Sequence, residues 1–320
     1  MVVIYREGAK DKWIYRDKAG NTVKDKEILG YIASLPPIPP AYKNVRIYYT
    51  KSPDIIFDGV DDKGRLQQIY SKRYRENADK KKFKALIDFG KKMPQMLLKM
   101  QEHIESQGSG KNKLISIILR IITLCGFRIG QLKYQKLYNS IGLSTLMKKH
   151  LKFISPKLEI KFIGKKGVLN ECVVEDKLII DELKKISAGK AQADFLFTYK
   201  ENDETKLINA IDVNNWLKAY NPEFTSKFFR TFQVNDLLIE GMAEVDPTTI
   251  TDAQRKKRVV GLLKDISCAV NNTPGICKKS YANPELIKLY IEHPKKYKKD
   301  MINGNSSRVN FIKFLERMYT

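Results

Sequence analysis

The sequence predicts an α+β protein: a small β-rich N-terminal domain over residues 1–78 and a larger, mainly α domain over residues 79–320. Three observations carry this. Short runs rich in β-branched and aromatic residues, separated by turn signals, fill the first 78 residues. From "ENADKKKFKALIDFGKKMPQMLLKM" onward, apolar positions recur at helical spacing. Inside the helical part, "LEIKFIG" and "GVLNECVV" read as a β-hairpin whose turn is flanked by Gly164 and Gly167. With 320 residues and 42% hydrophobic content, the chain can bury one large core or two smaller ones.

The elements follow in order. "KWIYRDKAGNTV" reads as a hairpin turning at Ala19-Gly20-Asn21, and "VRIYYT" as a strand. "LPPIPPAY" is a proline-rich loop. "DIIFDGVDDKGRLQQIYS" reads as two strands joined by an Asp-Asp-Lys-Gly turn. The next helix is expected to take Asn77 or Asp79 as its cap and to kink at Pro94. "SQGSGKN" is a loop, and "KLISIILRIITLCGF" is apolar nearly all round, so it is a central buried helix. Further helices are expected near 177–187, 206–220, 226–240, 250–271, 284–292 and 306–318.

The net charge of +23 points to a polyanionic partner, nucleic acid first and an anionic membrane surface second. Basic runs such as "DKKKFK", "QRKKR" and "HPKKYKKD" are spread along the chain, as a surface running over the molecule requires. The four cysteines, Cys125, Cys172, Cys268 and Cys277, form no CxxC pair. They are expected to be buried thiols of an intracellular protein, neither disulfides nor zinc ligands. With three histidines, a metal site is not expected, and no apolar run has membrane-spanning length.

Four separated motifs stand out, and each has a structural reading. Arg128, in "GFRIGQLKYQKLYNSIGLSTL", could stabilise a helix C-terminus. Lys165-Lys166 at a hairpin tip could be solvated decoration, or could deliver an ammonium into a groove. Lys227 and Arg230 in "KFFRT" share a helix face that could simply be exposed. Tyr281, in "NNTPGICKKSYANP", could be core or interface, in a short segment with no need to be rigid.

Taken in order, the series resembles the poxvirus-type type IB DNA topoisomerases, which share a fold with tyrosine recombinases. "RIGQLKYQKLYNSIGLSTL" is similar to the family segment that opens on a catalytic arginine, here Arg128. "KKHLKFISPKLEIKFIGKKGVLNE" resembles the hairpin carrying the catalytic lysine, matched by Lys165, with Lys166 beside it as an alternative. "KFFRT" resembles the second arginine motif, and "NTPGICKKSY" the His-Thr-Pro…Ser-Lys-Arg-x-Tyr end, with Asn272 in place of the histidine. "DKGRLQQIY" resembles the N-terminal segment that clamps DNA, with Gln67 and Tyr70 as its contacts. Gln131, Lys133 and Tyr134 match positions that bind DNA, although Gln131 stands where a lysine is expected and Gln68 where a tyrosine is.

The resemblance implies transesterification, with Tyr281 as nucleophile, Arg128 and Arg230 on the phosphate oxygens, Lys165 as general acid and Lys227 assisting. It also implies a monomer clamping double-stranded DNA, no cofactor and no metal, and it suggests a large DNA virus as the source. These residue types suit that chemistry. Guanidinium forks bind phosphate with several donors and stay charged. A phenol, with an ordinary pKa of about 10, needs neighbouring cations or proton loss during attack. Asn272 can donate one neutral hydrogen bond but cannot act as an acid or base. A tyrosine recombinase typically has histidine three residues before the second arginine, where this chain has Lys227. A non-catalytic DNA-binding protein would fit the charge alone.

Overall fold

Short strands rich in β-branched and aromatic residues build the N-terminal sheet. The computed structural model describes residues 2–9 and 12–320. Strands β1 (Val2–Ala9) and β2 (Lys12–Arg16), helix α1 (Lys26–Ser34), and strands β3 (Lys43–Tyr49), β4 (Ile55–Val60) and β5 (Leu66–Tyr70) come first. The strands form one antiparallel sheet in the order β2-β1-β3-β4-β5. Register aligns Ile4, Ile47, Phe57 and Ile69 in one row, and Tyr5, Arg46, Asp58 and Gln68 in the next. Successive residues face opposite sides of a sheet, so one face is apolar and the other polar. The apolar face packs with Ile32 of α1, and Asp25 caps that helix by accepting from Glu27 N at 2.8 Å. On the polar face, buried Asp58 accepts from Arg46 at 2.7 and 2.9 Å and from the Tyr48 hydroxyl at 2.8 Å.

The hairpin expected within residues 12–23 is different. β2 pairs with β1 over five residues, while the segment after the turn meets it through the bridge Arg16↔Thr22 and the bonds from Asp17 N to Asn21 O and from Val23 N to Tyr15 O, both 2.9 Å. A full strand partner outweighs a local turn.

Helix α2 (Lys72–Glu105) follows and runs unbroken through Pro94, with Met93 and Met96 buried on either side of the expected kink. It begins at Ser71, whose Oγ accepts from Tyr74 N at 3.2 Å. Asn77 and Asp79 therefore lie inside the helix, where Asp79 pairs with Lys82 at 2.6 Å instead of capping. Two compact units divide within α2, at Met1–Lys82 and Phe83–Thr320.

In the second unit, helix α3 (Lys111–Cys125) is buried along most of its length, as expected. Helix α4 (Leu132–Tyr138) has no buried residue. Strands β6 (Leu151–Ile154), β7 (Lys157–Ile163) and β8 (Leu169–Val174) form an antiparallel sheet, so the expected hairpin gains a third strand. Helix α5 (Lys177–Ser187) is followed by strands β9 (Thr198–Glu201) and β10 (Glu204–Leu207). The turn between them places Asn202 and Asp203 at φ 50° and 62°, the left-handed geometry that favours a tight hairpin. That hairpin takes the start of the helix expected at 206–220, leaving α6 (Ala210–Lys218). Then come α7 (Lys227–Ala243), α8 (Asp252–Ala269), α9 (Pro274–Ser280), α10 (Pro284–Glu292), α11 (Pro294–Met301) and α12 (Ser307–Tyr319). Their apolar faces share one core that includes Phe89, Ile118, Phe232, Leu286 and Phe311.

The expectation of unpaired thiols is corrected at two positions. Cys125, at the end of α3, and Cys172, on β8, form a disulfide with Cα atoms 5.6 Å apart. They are 47 residues apart in sequence, so only the packing of α3 against β8 reveals the pair. Cys268 and Cys277 are free, the first exposed and the second buried.

Candidate active site

Four chain segments converge around Tyr281. The first leaves α3 through Gly126, whose φ of 60° ends the helix and whose N–H donates to Ile122 O at 2.9 Å. Arg128 follows in extended chain. Its carbonyl accepts from Leu143 N at 3.1 Å, and Ile129 O accepts from Ser144 N at 2.7 Å. Gly130, at φ 79°, lets this strand-like stretch lie against Gly142, where a Cβ would sit 2.7 Å from the Gly142 Cα. The backbone of Arg128 is thus held against the Gly142–Ser144 segment.

The second segment is α7. Lys227 is exposed in its first turn, while Arg230 is only 2% exposed. The simple expectation of a basic surface face fails for Arg230. Its Nη2 donates to Val270 O at 2.7 Å, and its Nε and Nη1 are buried with no hydrogen-bond partner among the described residues. Burial pulls the Arg230 pKa down from the ordinary guanidinium value to about 10, with Tyr281 opposing and Arg128 lowering it further. The group is still charged at neutral pH.

The third segment is the turn after α8. Asn271, at φ 51°, ends the helix. Its side chain accepts from Glu171 N of β8 at 3.0 Å and donates to Cys125 O at 3.3 Å. Its carbonyl accepts from Arg128 Nη1 at 3.4 Å. Arg128 Nη2 donates to Asn272 Oδ1, which leaves Asn272 Nδ2 buried without a partner among the described residues. The amide therefore presents an N–H donor, not a charge.

The fourth is Tyr281 itself. Thr273 caps α9 by accepting from Ile276 N at 3.4 Å, with Pro274 at the first helical position. The Thr-Pro-Gly after the Asn271 turn therefore starts another helix. Tyr281 caps its C-terminus through Tyr281 N to Cys277 O at 3.1 Å and is buried, in contrast to the loose segment expected. The Arg230 Cζ lies 5.2 Å from the Tyr281 ring centroid, and Lys227 Nζ lies 5.8 Å from it. Both distances are within cation–π range.

Asn235 was not singled out from the sequence. One helical turn beyond Thr231 on α7, fully buried, it donates to Tyr281 O at 2.9 Å and accepts from Asn283 N at 2.7 Å. It thereby fixes the backbone on both sides of Ala282. The available signal was an amide on an otherwise apolar helix face in "TFQVNDLLI".

The remaining candidates stand on other elements. Lys165 stands at the exposed hairpin tip, beside Lys166 at φ 63°. It is the hairpin stem, through Glu171, that meets Asn271. Gln131, Lys133 and Tyr134 are exposed at the start of α4, and the Tyr134 ring stacks with Tyr138. Gln67 and Tyr70 belong to the N-terminal unit. Gln67 donates to Asp61 at 3.0 Å, whereas Tyr70 stacks on Tyr74 and donates to Gln68 at 3.0 Å. The strand period therefore puts Gln68, more than Gln67, beside Tyr70.

An antiparallel N-terminal sheet, a helical second unit with an inserted three-stranded sheet, and an Arg/Lys-flanked tyrosine define the class of protein. The sequence model of the eukaryotic DNA topoisomerase I catalytic core matches residues 71–305. The chain is 30% identical to DNA topoisomerase 1B of Acanthamoeba polyphaga mimivirus over 327 residues, which covers 99% of this chain and 95% of that protein. It is 25% identical to DNA topoisomerase 1B of vaccinia virus (strain Copenhagen) over 73% of this chain and 72% of that one. It is 24% identical to DNA topoisomerase 1 of rabbit fibroma virus, over 75% of this chain and 73% of that one. The chain belongs to the type IB DNA topoisomerases, isomerases that act on DNA, and these relatives are viral.

Proposed function

We propose that the protein relaxes supercoiled DNA by cutting one strand through Tyr281, letting the free end rotate and resealing it. The Tyr281 phenol attacks a backbone phosphodiester. A 3′-phosphotyrosyl ester forms, the 5′-oxygen leaves as a hydroxyl, and the ester retains the bond energy that drives religation without ATP. Arg128 and Arg230 stabilise the charge that grows on the non-bridging oxygens. Lys165 protonates the departing 5′-oxygen and Lys227 assists; a general acid contributes roughly 100- to 10,000-fold. Asn272 donates from Nδ2 to a non-bridging oxygen in the place of a histidine. Gln67 and Tyr70 on one unit, and Gln131, Lys133 and Tyr134 on the other, contact the duplex, and a monomer suffices.

The observation that carries this reading is the pair of unpartnered, buried Arg230 donors beside a tyrosine flanked by cations. A buried N–H left unpaired is destabilising unless a ligand uses it, and a phosphate oxygen fits. The test is plasmid relaxation at low salt without ATP or magnesium. The wild-type chain should relax the plasmid and form a covalent DNA adduct. Tyr281→Phe should form none while still shifting DNA in a gel. An unrelaxed plasmid with the wild type, or an adduct with the variant, overturns the proposal.

A further inference from the structure

The disulfide lies at the junction of the segments that the proposed reaction uses. Cys125 is three residues before Arg128, across the Gly126 turn. Cys172 sits on β8 opposite Ile160, and the hairpin continues through the Ile163↔Leu169 pair to the tip carrying Lys165. Three residue pairs at ~3.3 Å each put that last pair about 10 Å beyond the bond. Asn271 spans the same junction with weaker links, from Glu171 N and to Cys125 O. One face of the joint is thus covalent and the other hydrogen-bonded. The tip is exposed at Lys165, Lys166 and Gly167.

We propose that the Cys125–Cys172 bond is a redox-dependent tether that positions the Lys165 hairpin relative to Arg128. This rests on the strand-cleavage reading above, with Lys165 as the acid. When the bond is closed, the stem cannot shift from the Arg128 segment, and less motion remains to be frozen when Lys165 reaches the leaving oxygen. When it is open, the hairpin is held by Asn271, its own ladder and core contacts such as Phe162. The two cysteines are positioning residues, because they act through Lys165.

The redox step balances simply. A thiolate of a dithiol reductant attacks the Cys172 sulfur, the partly exposed one, and Cys125 leaves as a thiolate that takes up a proton. The reductant's second thiol then displaces Cys172 and the reductant becomes a cyclic disulfide. Two electrons and two protons have moved to the protein. A reducing compartment opens the tether and an oxidising one keeps it closed.

The experiment compares protein purified without reductant with the same protein treated with dithiothreitol. Thiol titration in denaturant should find two free thiols before reduction and four after. Single-turnover cleavage is then measured on a duplex bearing either an ordinary phosphodiester or a 5′-bridging phosphorothiolate at the cut site. Reduction should slow cleavage of the ordinary duplex roughly tenfold, as expected for a misplaced catalytic group. It should leave phosphorothiolate cleavage nearly unchanged, because a sulfur leaving group needs no acid. Cys172→Ser should show the slow rate in both conditions, and Cys268→Ser should retain the full redox response. Four thiols before reduction, equal rates in both states, or the same slowing on both substrates overturns the tether. A protein that forms no Tyr281 adduct in either state overturns the cleavage reaction and this role with it. That outcome is distinct from an adduct whose rate ignores redox state.

Discussion

Arg230 is a cation in a place that resists charge. Folding lowers its pKa from the ordinary guanidinium value to about 10, chiefly by burial. The folded state therefore disfavours the guanidinium at every pH below about 10, and the penalty eases only as pH rises through that value. Replacing it by a neutral side chain of similar length should stabilise the free protein while removing function. For Arg230→Met we expect cleavage to be lost and stability to rise by about 1–2 kcal/mol, after allowing for the bond to Val270 O. Chemical denaturation alongside an adduct assay checks both halves; a large destabilisation would show that the arginine is structural. Asn272 carries a second residue-scale prediction. Its acceptor is used by Arg128 and its donor is unpartnered. Asn272→His should preserve or raise the cleavage rate, since an imidazole also supplies one N–H. If single-turnover kinetics show a collapse, Asn272 does not occupy the family histidine's role.

Helix α7 carries both Arg230, the proposed phosphate ligand, and Asn235, which holds the backbone of the proposed nucleophile Tyr281. Asn235→Ala would strand Tyr281 O and Asn283 N, both buried, so stability should drop by about 2–4 kcal/mol. Cleavage should fall further than DNA affinity does, which paired cleavage and gel-shift titrations would reveal. Elements with long periods were legible from the sequence: α3 and α5 stand where their apolar spacing puts them. The short ones were not. Helices α4, α9 and α11 span seven or eight residues, too few to show a period or to be stable alone. Their caps depend on context, as the Thr273-Pro274 step shows by beginning a helix directly after the turn that closes α8. The β9–β10 hairpin was hidden because its turn, Asn202-Asp203, sits in a run that also suits a helix start.

The whole molecule carries a net charge of +23, far more than the site itself uses. Exposed lysines of α11, Lys295, Lys296 and Lys299, carry part of it. DNA affinity should therefore be dominated by phosphate neutralisation. With six to ten phosphates engaged, it should fall about 10³- to 10⁵-fold between 50 and 200 mM salt. A salt titration with duplexes of unrelated sequence checks this, and a shallow slope would argue for a few specific contacts instead.

Local periodicity and composition carry the α+β organisation and the basic character, which need no long-range contact to be read. Arg128, Lys165, Arg230 and Tyr281 are picked out by the resemblance of separated motifs taken in order. Tertiary structure alone decided that Arg230 is buried with two donors unpartnered and that Asn235 holds the Tyr281 backbone. It alone paired Cys125 with Cys172. Burial and pairing are properties of chain segments meeting across 40 to 150 residues, and a linear pattern does not encode which face of one helix meets which strand.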